Sequence, residues 1–291
     1  MPGARSIELG IFILPGAEHA QRTVDACLAA EAAGLDLVAI QDHPYQRRYL
    51  DTWTLLSYVA GRAERIGLVT DVVNLPLRLP SVLAKSAASL DVLSGGRVEL
   101  GIGAGTFWEA VEAMGGPKRT PKQSVDALEE AIAIIRGFWS GERSVTVEGE
   151  HYRVTGAKPG PSPAHPIGLW IGAYGPRMLR ITGRLGDGWL PSLGGRYLSP
   201  DQIPAMQARI DDAAKRAGRE PREVRRIVNL MVLDDVPGAW PAELGRVVAL
   251  GFEKILVGVP DDGAIDFVRR LGEEVAPRLR EALDEAAGPP G

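Results

Sequence analysis

The feature that most constrains this chain of 291 residues is an alternation, repeated eight times, of a short extended run with an amphipathic helical stretch. Candidate strands lie at 7–14, 35–41, 66–73, 98–102, 167–171, 188–191, 227–233 and 254–259. Runs such as 35–41 are mostly apolar, as expected of strands buried on both faces of a parallel sheet. Between the strands, apolar residues recur at spacings of three and four: Val24, Cys27 and Leu28; Trp53, Leu56, Ala60 and Ala63; Val125, Leu128, Ile132, Ile135 and Trp139; Met178, Ile181 and Leu185; Ile265, Val268, Leu271 and Val275. Further helices are expected from Ser81, read as a cap, to 93, over 200–217 and over 241–249. The joints EAAGLDLVAI (31–40) and VALGFEKILVG (248–258) each stop a helix at a glycine suited to a left-handed cap, then restart as a buried strand.

Two insertions interrupt the alternation: a Gly-rich segment at 103–120 after strand four, and a polar hairpin at 144–154 with a Pro-rich link (KPGPSPAHP) between helix four and strand five. Neither divides the chain. Eight strand–helix units over 1–291 predict one α/β domain, a (β/α)₈ TIM barrel, which typically takes about 250 residues. The competing doubly wound sheet usually carries a Gly-rich dinucleotide turn after its first strand, where this chain has LPGAEHA.

A formal net charge of −4 argues against a surface for nucleic acid or anionic membrane, which needs a basic face. The single cysteine, Cys27, allows no intrachain disulfide and no thiolate metal cage, and its neighbours on the apolar stripe mark it as a core residue. The first ten residues, MPGARSIELG, lack the apolar core of a signal peptide, and no run reaches the ~20 apolar residues of a membrane helix. The expectation is a cytoplasmic enzyme with a small-molecule substrate.

In such barrels, chemistry sits just past the carboxyl ends of the strands. There the chain places Asp42-His43 after strand two, Thr70-Asp71-Val72-Val73-Asn74 after strand three, Gly103-Ala104-Gly105-Thr106 after strand four, Gly172-Ala173-Tyr174-Gly175 after strand five and Ser192 after strand six. Asp42-His43 is the most reactive pairing: an imidazole can exchange protons near neutral pH, and a carboxylate beside it can tune its pKa. The plainer reading makes Asp42 a loop cap and His43 an exposed side chain. GAYGPRMLR (172–180) opens a helix whose amides, with Arg177 and Arg180, could hold a phosphate; the same segment also reads as a well-made helix start with basic residues facing solvent. Phe12, Tyr45, Phe107 and Trp108 suggest an apolar or stacking substrate pocket. No His/carboxylate spacing resembles a metal site, so none is expected.

LSGGRVELGIGAG (93–105), followed some seventy residues on by IGAYGPRMLRITGRLGDGWLPS, strongly resembles the luciferase-like monooxygenase family, and Asp42-His43 and TDVVNLPLR-P agree in order and position. The resemblance spans residue 7 to about 275. It implies a (β/α)₈ barrel, often a homodimer, that uses reduced FMN with oxygen or the deazaflavin coenzyme F420. The "DH" pair and GPRMLR…GRLGDGW look closer to the F420-dependent branch. On that resemblance His43, with Asp42 beside it, would help proton transfer as hydride moves; Asp71, Val72 and Val73 would form a bulge behind the ring, with a non-prolyl cis peptide at Asp71-Val72; Gly103, Ala104, Gly105 and Thr106 would edge the ring; Gly172, Ala173 and Tyr174 would bind the cofactor; and Gly175, Pro176 and Arg177 would hold its phosphate. One departure matters: sugar-phosphate dehydrogenases of the family carry a glutamate where this chain has Thr106. Three functions compete: deazaflavin-dependent hydride transfer; FMN monooxygenation served by a separate flavin reductase; and a non-catalytic flavin carrier, which the intact Asp42-His43 pair and open rim count against.

Overall fold

The computed structural model describes residues 7–231, 233 and 236–287, and in it eight parallel strands close into a barrel. They are β1 (Glu8–Ile13), β2 (Leu37–Ile40), β3 (Gly67–Val73), β4 (Val98–Ile102), β5 (Leu169–Ile171), β6 (Gly188–Trp189), β7 (Arg225–Leu230) and β8 (Lys254–Gly258). Closure is carried by β1 on β8, with Leu9 opposite Ile255, and by β8 on β7, with Ile255 opposite Val228. The short stretch Ser192–Leu193 prolongs the line of β6 along β7, opposite Asn229 and Leu230.

Side chains alternate across each strand. On β1, Leu9, Ile11 and Ile13 join the layer between strands and helices, while Phe12 turns into the lumen. The lumen is filled by Phe12, Leu37, Ala39, Val69, Trp170, Leu190, Ile227 and Leu256, so the barrel is plugged rather than hollow. The outer layer packs α1 (Ala20–Ala32), α2 (Thr52–Ala60), α3 (Pro80–Ser94), α4 (Pro121–Trp139), α5 (Pro176–Leu185), α6 (Ile203–Arg216) and α7 (Trp240–Ala249). A last helix, α8 (Ala264–Arg269), continues through a π-helical turn, Arg270–Val275, into α9 (Ala276–Ala287). Gly34 and Gly251 end α1 and α7 at φ 77° and 91°, the left-handed conformation the two repeated joints require. Cys27 is fully buried, and burial pushes its thiol up to about 12. Among the described residues, no helix is long and apolar enough to cross a membrane.

Several local expectations change. Helix three starts at Pro80 with Leu79 as cap, so Ser81 lies inside it and caps nothing; a proline at the first position needs no N–H partner. Ala63 lies beyond α2, and Leu55 is buried where Trp53 was expected to hold the core face. The Gly-rich segment contains a short helix, Trp108–Ala113. The hairpin pairs Val145–Glu148 with Arg153–Ala157. Strand seven stops at Leu230 rather than 233; position 232, with 1–6, 234, 235 and 288–291, lies outside the described residues.

At the amino-terminal rim the motif LSGGRVELG becomes a clamp. The Arg97 guanidinium donates to the carbonyls of Ser94 (2.8 Å), Ile66 (2.9 Å), Ala63 (2.9 Å) and Ala60 (3.0 Å). Buried Asp91 accepts from the Val98 amide (3.1 Å), the His165 amide (3.0 Å) and His165 Nδ1 (2.8 Å). Asp187, from GRLGDGW, accepts from the Leu169 amide (2.8 Å) and from Arg136, and Glu99 accepts from the Gly168 amide (2.6 Å). Buried polar groups are stable when paired in this way.

Candidate active site

At the opposite rim, the ends of β2 to β7 surround a cavity of about 550 Å³, within the size range of small-molecule sites. The structure brings together Asp42, His43, Asp71, Val72, Val73, Gly103, Ala104, Gly105, Thr106, Gly172, Tyr174 and Gly175 on its wall. Ala173 is buried behind the wall, where its carbonyl accepts from Trp189 Nε1 (2.9 Å). Pro176 and Arg177 do not line the cavity. The Arg177 guanidinium points to α4 and pairs with Asp126 and with Glu129 (2.8 Å). Its side chain is paired with carboxylates on α4, and at the expected phosphate end stands the start of α5, where no side chain caps the helix.

Asp42 and His43 point to different partners. Asp42 is buried and takes the fork of Arg78, Nε and Nη2 both at 2.8 Å, together with the Asn74 amide (2.9 Å). Arg78 also reaches Asp51 (2.7 Å), the residue that caps α2. Asp42 thus ties the loop after β3 to the end of β2 through a bidentate pair. His43 instead shares a hydrogen bond from Nδ1 with the Tyr45 hydroxyl, and its ring lies 5.3 Å from Tyr45 and 5.6 Å edge-on from Phe107. Burial pushes the imidazole below its ordinary value of 6.5, although the Asp42 charge pulls it upward. It is accordingly neutral at neutral pH, able to accept on one nitrogen and donate on the other. Burial likewise pushes the Tyr45 phenol up to about 12.

Between β3 and β4 the register shifts from Thr70 to Val73, and the Asp71-Val72 peptide is cis, as the resemblance implies. The bulge delivers the Val72 side chain to the cavity between two glycines. A Cβ on Gly103 would sit 3.0 Å from Val72 Cγ2, and one on Gly172 3.4 Å from Cγ1. With the glycines bare, the wall on either side of Val72 is backbone, which a flat ring can approach closely. Tyr174 crosses from β5 to the end of β6, where its hydroxyl accepts from the Ser192 amide (3.0 Å).

Three oxygens of this wall have no hydrogen-bond partner: Asp71 Oδ2, Asn74 Oδ1 and Asn229 Oδ1, on residues 8%, 5% and 3% exposed. Burial alone pushes the Asp71 carboxyl up to about 7. The sequence reading missed Asn229 as a site residue; its one signal is an amide side chain inside the otherwise apolar run IVNLMV. It also missed Arg78 as the partner of Asp42, and Arg196 and Tyr197, which follow Gly194-Gly195 and reach the cavity from the loop after β6. Of the expected pocket aromatics, Phe12 and Phe107 line the cavity; Tyr45 stands behind His43 and Phe107, and Trp108 opens the short helix outside the wall.

A sequence profile of the luciferase-like monooxygenase family matches residues 7–235. An F420-dependent glucose-6-phosphate dehydrogenase of Intrasporangium calvum is 36% identical, over 88% of this chain and 94% of its own length. Among solved structures, an F420-dependent secondary alcohol dehydrogenase in complex with an F420-acetone adduct superposes with a TM-score of 0.83 at 18% identity, covering 94% of this chain and 99% of that one. The coenzyme F420-dependent tetrahydromethanopterin reductase of Methanopyrus kandleri gives a TM-score of 0.79 at 19% identity, with coverage of 94% and 99%.

Proposed function

This chain belongs to the luciferase-like monooxygenase family, and from that premise we propose an oxidoreductase that transfers a hydride between coenzyme F420 and a small organic substrate. The observation that carries the reading is the rim cavity itself. Gly103 and Gly172 leave bare backbone around Val72, while buried oxygens of Asp71, Asn74 and Asn229 wait for partners on a bound molecule. Those features fit a flat heterocycle that carries both hydrogen-bond donors and acceptors. The open start of α5 at Gly175 suits a phosphate, because amides at a helix start are unpaired and the dipole favours an anion. When bound, the deazaflavin supplies a carbon that takes or gives hydride.

The chain's own residues would do the rest. Asp42, already neutralised by Arg78, holds the end of β2 so that the backbone of His43 is fixed. The neutral imidazole stands at the cavity edge, where it can take the proton that an alcohol leaves behind as its carbon loses hydride, or return it to a carbonyl. Phe107 and Tyr45 shelter that ring from water. Thr106 stands where sugar-phosphate dehydrogenases of the family have glutamate, so the substrate we propose is not a sugar phosphate. We further propose a cytoplasmic homodimer that associates through the exposed apolar residues Tyr58, Leu79 and Val82 on α2 and the start of α3.

The test is titration of the purified protein with F420 and, separately, with FMN, read by absorbance and fluorescence, for the wild type and His43→Ala. F420 should bind with the higher affinity, and the variant should bind it within about threefold of wild type. Its turnover should fall by roughly tenfold or more, as general acid–base help is worth about 10²–10⁴. Preference for FMN with oxygen consumption would establish the monooxygenase alternative, with its separate reductase. A variant that binds and turns over like wild type would make His43 structural.

A further inference from the structure

Asp71 is the least explained residue of the molecule. The other carboxylates of comparable burial are paired: Asp42 with Arg78 and the Asn74 amide, Asp91 with His165 and the Val98 amide. Asp71 is more than nine-tenths buried, one of its oxygens has no partner, and it faces the cavity above the apolar plug of the lumen. A carboxylate in such a place loses its water without compensation, so the side chain holds its proton instead.

We propose that Asp71 is a ligand-contacting residue, which as a neutral carboxylic acid donates a hydrogen bond to a carbonyl oxygen of the molecule bound at the rim. Asn74 and Asn229 stand on the same wall with their oxygens free to accept from N–H or O–H groups beside that carbonyl. The ligand class this selects is a heterocycle or substrate with adjacent carbonyl and N–H or O–H functions. An ionised Asp71 would instead set its negative charge against the carbonyl oxygen and bind it poorly.

The charged and titratable groups around the cavity leave Asp71 to act alone. Asp42 is neutralised by Arg78, His43 is held neutral, the Tyr174 phenol stays protonated, and Arg196 stands at the exposed mouth over the Tyr197 ring. With the carboxyl pushed up to about 7 by burial, its donor proton is present at pH 6 and lost by pH 8.5.

This inference rests on the proposed use of F420, and the experiment separates the two. Equilibrium binding of F420 and of FMN is measured at pH 6 and 8.5 for wild type, Asp71→Asn and Asp71→Ala; comparison at one pH cancels any titration of the cofactor itself. Asp71→Asn keeps a neutral donor, so it should match wild type within about twofold at pH 6 and bind about tenfold more tightly than wild type at pH 8.5. Asp71→Ala should bind roughly fivefold more weakly at pH 6, the loss expected for one hydrogen bond. In the wild type, infrared spectroscopy with ¹³C-labelled aspartate should show a protonated-carboxyl band at pH 6 that moves when cofactor is added, a readout that survives even if a variant fails to fold. Binding of FMN but not F420 overturns the deazaflavin reading alone, and the same comparisons with FMN then decide Asp71. Equal affinities of wild type and Asp71→Asn at pH 8.5, a band unmoved by bound cofactor, or no binding of either cofactor overturns the inference.

Discussion

The two rims of the barrel are built from the same residue types and treat them in opposite ways. At the amino-terminal rim, Arg97 spends its guanidinium on four backbone carbonyls, and Asp91, Glu99 and Asp187 each accept from backbone amides. At the carboxyl-terminal rim, Asp71, Asn74 and Asn229 keep buried oxygens without partners, and His43 is held neutral among aromatic rings. A buried polar group lacking a partner costs about 1–3 kcal/mol. One end of the barrel has therefore been completed by folding, and the other keeps buried acceptors facing the cavity. The difference locates function more sharply than motif strength does, since the two most recognisable motifs, LSGGRVELG and GRLGDGW, place Arg97 and Asp187 at the completed end.

The largest effect expected from this contrast lies at the completed rim. Asp91→Ala strands the buried Val98 amide and takes the shared acceptor from the amide and ring nitrogen of the partly exposed His165. It should cost roughly 3–5 kcal/mol, read as a fall in the urea midpoint. A loss under about 1 kcal/mol would mean that water replaces the carboxylate and that the rim is less closed than described.

Next comes the pH dependence of stability set by Asp71. The unfolded chain releases this proton near pH 3.9, whereas the folded protein holds it to about 7. Between those values the unfolded state binds fewer protons, so stability falls as pH rises through about 4 to 7 and is level above. The fall is on the order of a few kcal/mol at most. Against an Asp71→Asn reference it should appear as a narrowing lead for the wild type in urea unfolding at pH 5, 6, 7 and 8. A constant difference across that series would show that Asp71 ionises in the folded protein as easily as in water.

The smallest effect belongs to Arg177, which the family resemblance would place at a phosphate. Its guanidinium pairs with Asp126 and Glu129 at a partly exposed site. Arg177→Gln should change stability by less than about 1 kcal/mol and cofactor affinity by less than about threefold. A tenfold loss of affinity in a cofactor titration would return the side chain to the phosphate site.

Legibility in the sequence followed how local each signal was. The helix-stopping glycines at 34 and 251 and the apolar strands beside them are contiguous in the chain, so the eight units could be read directly. The position of Asp42 and His43 after β2 was legible for the same reason. The destinations of their side chains were not, because Arg78 reaches Asp42 from 36 residues away and only the folded loop after β3 brings them together. The ion pairs of Arg177 were not legible because its partners sit on α4, about fifty residues earlier. Asn229 went unnoticed because one amide in an apolar strand leaves the strand pattern intact, although it becomes informative once the strand is known to face a lumen. On α2 the core stripe was read through Trp53 and Leu56, yet Leu55 joins Leu56 in the core while Trp53 is only partly buried, since a nine-residue helix leaves the phase of its stripe poorly determined.

The placement of Val72 between Gly103 and Gly172 also governs how this rim can change over time. Because a methyl on Gly103 would sit 3.0 Å from Val72 Cγ2, which must then give way, positions 72 and 103 are coupled, whereas a methyl on Gly172 would meet Val72 at an ordinary contact distance of 3.4 Å. An alanine at 103 is accommodated where the Val72 side chain can shift slightly or where position 72 has already shrunk. A change at 103 therefore depends on which residue stands at 72, whereas a methyl at 172 meets only ordinary contacts.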